Sequence, residues 1–277
     1  MLSTPQLGLG NSFATGYPQA DSQHARFQIP GYRLLEKLGE GGMSAVYRAA
    51  DEATAAEVAI KVLTADQSVR AFRRETQLMA SLAHPHVVAI YAFGETADHY
   101  YLVMEYVAGT SLRARMAAGQ PWSLERTLQV VTTVGQALVH MHAQGILHLD
   151  LKPENVLCGN KGEIKVTDFG LSQPRVDAAR PTGLEVAQGT VDYCAPEQRY
   201  SLPVDPRADL FALATLTYEL LTGWLPGRVF APARRANPAV PPALDDVLRR
   251  ALARDRDERQ ASVEEYVHAL RRAAEAN

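Results

Sequence analysis

The stretch that decides the fold is His148-Leu149-Asp150-Leu151-Lys152-Pro153-Glu154-Asn155. After it the chain carries Asp168-Phe169-Gly170 and then Ala195-Pro196-Glu197. Before it lie Gly39-Glu40-Gly41-Gly42-Met43-Ser44, the run Val58-Ala59-Ile60-Lys61 and the acid Glu75. Each string is short enough to arise by chance. The information therefore lies in their order and in the intervals between them.

The composition indicates a globular chain with one large core. The 277 residues are 47% hydrophobic, which suits one unit of two lobes and leaves no room for a second independent domain. The net charge of -3 provides no general attraction to nucleic acid or to anionic lipid. Cys158 and Cys194 are too few for a disulfide framework, which favours a reducing compartment. We therefore expect a cytoplasmic protein that does not bind nucleic acid.

Residues 1–30 are predicted to form a flexible arm, because they are rich in Ser, Gly, Gln, Ala and Pro and cannot build a packed core. The first six residues lack the basic start and apolar stretch of a secretory signal. The longest apolar run, Leu210 to Leu221, contains Glu219 and is too short for a bilayer core of about 30 Å. It predicts a buried helix and no membrane span.

Apolar periodicity divides the rest of the chain into a strand-rich part and a helical part. Residues 31–107 contain short apolar or alternating runs bounded by Gly and Asp, which are typical of an antiparallel sheet. The predicted strands are Tyr32–Leu38, Ser44–Ala50, Glu57–Leu63, Val87–Phe93 and Tyr100–Glu105. One predicted helix, Ser68–Leu82, interrupts them and ends at the His84-Pro85 breaker. In residues 108–277 the clearest predicted helices are Leu124–Ala143, Asp205–Thr222, Pro242–Arg254 and Ser262–Ala274.

Together, the ordered strings resemble the signature set of the eukaryotic-type protein kinases. The glycine-rich loop and the Lys152 that follows Asp150 are most similar to the bacterial serine/threonine branch of that family. The resemblance covers roughly Tyr32 to Ala273. It implies an α+β fold of two lobes, with an antiparallel sheet and one helix in residues 31–107 and a mainly helical lobe in residues 108–277.

The resemblance implies an ATP site between the lobes. Glycines let backbone amides approach phosphate oxygens without an intervening side chain. The loop residues expected at the nucleotide are Leu38, Gly39, Glu40, Gly41 and Gly42. Lys61 would hold the α- and β-phosphates, and Glu75 would orient Lys61 through an ion pair.

The adenine ring is expected at the end of the last predicted strand. Backbone groups of Glu105 and Val107 would meet its edge, and Met104 would guard the inner pocket. Val46, Ala59 and Leu157 would lie against its two faces. Taken singly, each of these residues is more typical of plain core than of a ligand contact.

The same resemblance implies the catalytic groups. Asp168 and Asn155 would bind Mg²⁺, with Mn²⁺ as a second candidate, because oxygen ligands suit hard cations. Asp150 would orient the incoming hydroxyl and accept its proton, while Lys152 would stabilise the charge of the transferring phosphate. Thr190 matches the threonine of the family whose hydroxyl contacts this aspartate and lysine. Lys152 and Thr190 favour serine and threonine over tyrosine as acceptors.

One departure from the family pattern is Leu149. Most regulated members carry arginine at this position, where it captures a phosphate on the activation segment, and leucine cannot make that charge-assisted bond. We therefore expect an activation segment that is not locked by a phosphate–arginine pair. Two internal contacts are also expected, from Glu197 to Arg259 and from Asp209 to backbone amides of the catalytic loop.

The leading hypothesis is a serine/threonine protein kinase that autophosphorylates and acts on protein substrates in bacterial signalling. One alternative is a pseudokinase scaffold, which usually lacks the lysine, the base or the metal-binding aspartate. The other is a small-molecule kinase of the same fold, which generally lacks Ala195-Pro196-Glu197. All of these residues are present. A cognate phosphatase and a homodimer are further candidate partners, and Arg113 and Arg115 argue against a preference for basic peptides.

Overall fold

The computed structural model describes residues 28–40, 44–64, 82–96, 99–117, 119–168, 192–227 and 229–275. Within these ranges a five-stranded antiparallel sheet is followed by a mainly helical part. The predicted α+β fold class is thereby confirmed. The predicted arm lies outside the described residues except for 28–30, and the predicted helix Ser68–Leu82 lies outside them except for Leu82.

The first sheet has the strand order β1-β2-β3-β5-β4. Its strands are β1 (Tyr32–Glu40), β2 (Ser44–Asp51), β3 (Glu57–Thr64), β4 (Ile90–Glu95) and β5 (His99–Glu105). In β2, Ala45, Tyr47 and Ala49 are buried while the residues between them are partly exposed, as the period of two in a strand requires. These side chains face Ile60 and Val103 in the core of this lobe.

The predicted strand Val87–Phe93 is wrong at its start. Strand β4 begins at Ile90, and Val87 instead makes an isolated parallel bridge with Val166. The N–H of Val88 donates to the carbonyl of Val166 at 2.9 Å, and the N–H of Val166 donates to the carbonyl of His86 at 2.9 Å. The main chain of residues 86–88 is therefore paired with the other lobe, although its apolar pattern continues that of β4.

The second part holds a small sheet and several helices. The small sheet has the order β6-β7-β8, with β6 (Gly109–Ser111), β7 (Val156–Gly159) and β8 (Ile164–Val166). The α-helices in the described ranges are α1 (Leu112–Arg115), α2 (Leu124–Ala143), α3 (Pro196–Arg199), α4 (Arg207–Thr222), α5 (Pro242–Ala251) and α6 (Val263–Glu275). Helix α4 is buried along nearly its whole length, and α2, α5 and α6 contact it.

Helix boundaries follow local chemistry. Helix α2 has the predicted bounds and begins after Ser123, whose hydroxyl accepts the N–H of Arg126. Helix α4 begins at Arg207, two residues later than predicted, and the N–H of Arg207 donates to the carboxylate of Asp205 just before it. Helix α5 ends at Ala251, earlier than predicted, where the following carbonyls turn toward the guanidinium of Arg259. None of the helices in the described ranges is long and apolar enough to cross a membrane.

Candidate active site

Asp150 lies in the loop between α2 and the short turn Pro153–Asn155. The side-chain amide of Asn155 donates to the Asp150 carboxylate at 3.0 Å and to its main-chain carbonyl at 2.8 Å. The ammonium of Lys152 lies 3.0 Å from the same carboxylate. Two donors therefore fix the orientation of a carboxylate whose side chain is 16% exposed. Such a group can orient a hydroxyl and accept its proton.

Asp209, in the first turn of α4, holds this loop in place. Its buried carboxylate accepts the N–H of His148 at 2.9 Å and the N–H of Leu149 at 2.8 Å, and it lies 2.7 Å from Nε2 of His142. Burial alone would raise the pKa of Asp209, but the bonds from His142 and the loop amides hold it below its ordinary value. The predicted contact between Asp209 and the catalytic loop is confirmed.

Leu149 has a packing role that the sequence reasoning missed. Its side chain is 8% exposed and contacts Leu147, Ala195 and Ala208 in a small apolar cluster. Its φ of 60° is rare for a residue with a bulky side chain. Its carbonyl accepts a hydrogen bond from Nε2 of Gln198 at 2.9 Å. Leu149 therefore joins the catalytic loop to α4 through apolar contact and to α3 through the bond from Gln198.

Lys61 and Asp168 meet across the cleft between the lobes. Nζ of Lys61, on β3, lies 2.6 Å from Oδ1 of Asp168. Asp168 follows β8 with a φ of 58°. Glu75 lies outside the described residues, so its predicted pair with Lys61 stays a prediction. Thr190, Gly41 and Gly42 also lie outside them.

The oxygen atoms near Asp168 fit a Mg²⁺ ion that also binds phosphate. The N–H of Thr167 donates to the carbonyl of Asn155 at 2.9 Å, which places Asn155 beside the approach to Asp168. Because the Asn155 amide nitrogen donates to Asp150, its oxygen is the atom left for a cation. The described residues contain no group of three or more His, Cys, Asp or Glu side chains that could hold a metal alone. Asp168 and the Asn155 oxygen are the kind of ligands taken by a divalent cation that is bound together with substrate phosphates.

The residues expected around adenine form one apolar cluster. Buried Ala59 and Met104 lie opposite each other on β3 and β5, and the partly buried Val46, Val107 and Leu157 contact the same cluster. Sequence reasoning missed Val88, which is 2% exposed and belongs to this cluster. Its apolar neighbours Val87 and Ala89 gave no signal that set it apart.

The end of β1 places the first part of the glycine-rich loop beside β2. Gly39 lies opposite Val46, and Glu40 lies opposite Ala45. Leu38 is 45% exposed, and Glu40 pairs with Lys37 at 2.5 Å. A Cβ on Gly39 would meet no described atom within 4 Å, so the described fold does not itself require glycine here.

Glu105 uses its side chain as well as its backbone. Its Oε2 lies 2.9 Å from Nζ of Lys165 and accepts the N–H of Ala89 at 3.2 Å. Sequence reasoning assigned only the backbone of Glu105 to the nucleotide. It could not find the side-chain contact, because Lys165 is 60 residues away.

A network of side chains surrounds Arg113, which lies in the short helix α1. Its guanidinium donates to Glu154 at 2.8 Å, to Glu219 at 2.7 Å and to the hydroxyl of Tyr193 at 2.6 Å. Tyr193 also donates to Glu219, and burial together with this carboxylate raises the pKa of Tyr193 far above its ordinary range. Arg115 donates to the carbonyls of Cys158 and Gly159. Both arginines thus have internal partners, which weakens the inference drawn from them about peptide preference.

Glu197 and Arg259 form the predicted ion pair, which is confirmed. Arg259 is buried, and its two terminal nitrogens each lie 2.8 Å from an oxygen of Glu197. The pair anchors α3, because Glu197 is the second residue of that helix. Cys194, just before this segment, is buried, and burial raises the pKa of its thiol to about 11.

Comparison with known proteins assigns the chain to a family. The model of the protein kinase domain matches residues 32–268. The serine/threonine-protein kinase PrkC of Bacillus subtilis is 35% identical over 265 residues, covering 89% of this chain and 41% of that protein. The serine/threonine-protein kinase PknB of Mycolicibacterium smegmatis is 37% identical over 262 residues, covering 84% of this chain and 41% of that protein. The chain thus spans less than half the length of these relatives. It belongs to the protein kinase family.

Proposed function

We propose that this chain is an ATP- and Mg²⁺-dependent serine/threonine protein kinase that acts in bacterial signalling. The observation that carries the proposal is the Asp150 carboxylate, held between the ammonium of Lys152 and the amide of Asn155. Two further groups of residues support the proposal. One is the apolar cluster that contains Ala59 and Met104, and the other is the ion pair between Lys61 and Asp168. The related PrkC and PknB proteins carry this activity in their names.

The chain's own groups divide the chemistry among them. Asp150 orients the hydroxyl of the substrate and accepts its proton. Lys152 stabilises the negative charge of the transferring group, and Lys61 holds the phosphates that stay behind. Asp168 and Asn155 would hold Mg²⁺ or Mn²⁺, which neutralises phosphate charge when bound.

Protein substrates are favoured over small molecules by the segment around α3. Glu197 is buried and anchored by Arg259, so the Ala195-Pro196-Glu197 segment is held on α4 and on the loop that follows α5. In the family this segment supports a bound polypeptide. Autophosphorylation, a cytoplasmic location and a cognate phosphatase that reverses the reaction belong to the same proposal.

The test is phosphate transfer from radiolabelled ATP to a generic basic protein and to the chain itself. Asp150→Asn should lower the rate roughly 10²–10⁴-fold, because it removes the proton acceptor and keeps the shape. The matched control is Asp246→Asn, at an exposed carboxylate that pairs with Arg249, and its rate should equal that of the wild type. The labelled residues should be phosphoserine and phosphothreonine. A wild-type rate in Asp150→Asn, or phosphotyrosine as the main product, would show that the proposal is wrong.

A further inference from the structure

The carboxylate of Glu105 connects three segments of the chain. Glu105 ends β5, and its N–H donates to the carbonyl of Ala89 at 2.8 Å. Its Oε2 accepts the N–H of Ala89 in return, and the same oxygen contacts the ammonium of Lys165 on β8. The end of β5, the segment before β4 and strand β8 are therefore joined at one side chain.

The short segment from Lys165 to Asp168 couples the position of Lys165 to that of Asp168. Asp168 lies three residues beyond Lys165. Between them, Val166 is bonded on both sides to residues 86–88, and the N–H of Thr167 donates to Asn155. A shift of Lys165 relative to β5 would therefore displace Asp168 with it.

Two ion pairs connect the first sheet to this segment. Lys61 on β3 contacts Asp168, and Glu105 on β5 contacts Lys165. In the first pair, bound phosphates would attract the ammonium of Lys61, and a bound cation would attract the carboxylate of Asp168. The side chains of the second pair take no part in the proposed reaction. They are only 15% (Lys165) and 25% (Glu105) exposed, so solvent screens this pair less than a surface pair.

We propose that Glu105 and Lys165 are a positioning pair that sets the distance between the end of β5, where adenine would bind, and Asp168. The inference rests on the proposed function, since it assumes that one nucleotide reaches both places. Neither side chain needs to touch the nucleotide. Loss of the pair should weaken the binding of a nucleotide that reaches both the apolar cluster and Asp168. It should change the binding of adenosine little, because adenosine reaches only the apolar cluster.

The experiment compares the affinities of adenosine and of MgADP by calorimetry. Glu105→Gln and Lys165→Met should each weaken MgADP binding roughly five- to tenfold, and the double variant should be no weaker than the weaker single variant. Adenosine affinity should stay within about twofold in Lys165→Met, because Lys165 is not among the residues expected at adenine. Lys165→Arg keeps the cation and should restore MgADP affinity to within about twofold of the wild type. The matched control removes the remote, exposed pair of Arg250 and Glu265 through Arg250→Met, which should change neither affinity.

Two outcomes would overturn the inference. If adenosine and MgADP affinities fall together with the melting temperature, the pair only stabilises the lobe. If neither affinity changes, the distance is set by other contacts. The comparison measures binding alone, so a wild-type protein that binds MgADP and transfers no phosphate would count against the proposed function and not against this pair.

Discussion

Replacing Arg259 with methionine should strongly destabilise the protein. The guanidinium is buried and bonds both oxygens of Glu197 at 2.8 Å, as well as the carbonyls of Ala253 and Arg207 at 2.9 Å and of Arg254 at 3.3 Å. The substitution leaves a carboxylate without its cation and three carbonyls without this donor. Removing one partner of a buried pair costs roughly 3–5 kcal/mol, which corresponds to a change of roughly 10²- to several 10³-fold in the folding equilibrium. The melting temperature should fall by roughly 6–20 °C.

The assay is urea denaturation followed by circular dichroism, which reports both the free energy of unfolding and its dependence on urea. Adding Glu197→Gln to Arg259→Met should recover about 1 kcal/mol or more, because the stranded charge is removed. Arg249→Met is the matched control, since Arg249 and Asp246 form an exposed pair whose loss should cost about 0–1 kcal/mol. A loss in Arg259→Met no larger than in this control would refute the reasoning.

Three further predictions follow from the site. Lys61→Met and Asp168→Asn should each abolish phosphate transfer. Both variants should melt close to the wild-type temperature, because the contact between Lys61 and Asp168 is in the cleft and partly exposed. Retained transfer in both would contradict the mechanism. Thr182 lies between Asp168 and Glu197, outside the described residues, and is a candidate for phosphorylation of the activation segment. Phosphatase treatment and Thr182→Ala should leave the initial rate toward an added substrate within about twofold, since Leu149 is engaged in apolar contact and forms none of the charge-assisted bonds that are worth roughly 1.5–3 kcal/mol each. Thr190→Ala should lose activity, because it removes the hydroxyl expected to contact Asp150 and Lys152, and a lag abolished by prior autophosphorylation would point to another basic group. Cys194 should react slowly with iodoacetamide at pH 7 and about tenfold faster with each pH unit up to about 11, because burial raises its pKa to about 11; fast alkylation at pH 7 would show that the thiol is accessible and acidic.

Local patterns in the sequence were sufficient for much of the fold. The bounds of α2 follow from the apolar period and the Ser123 cap, both of which are properties of adjacent residues. The boundary of β4 could not be found in this way. The apolar run from Val87 to Phe93 continues without a break, but its first residues bond to β8 across a long stretch of chain.

The same division applies to the site. Asp150, Asn155 and Asp168 stand in short strings whose order could be compared with a family. The side-chain bonds of Glu105 and Arg113 could not be predicted, because they join residues 60 and 106 positions apart that carry no motif. Leu149 was recognised only as a missing arginine, since apart from Leu147 its apolar partners come from α4 and from the residues before α3 and α4.

Helix α4 carries two buried acids that bond to different parts of the site. Buried polar groups are tolerated only with partners, and the hydroxyls of Thr215, Thr217 and Thr222 find theirs within α4, at carbonyls four residues earlier. The carboxylates of Asp209 and Glu219 find partners outside it, in the catalytic loop and in Arg113 with Tyr193. These two acids are ten residues apart, which in a helix is about 15 Å along the axis. One helix thus holds the catalytic loop through Asp209 and, through Glu219, the residues around Arg113 and Tyr193.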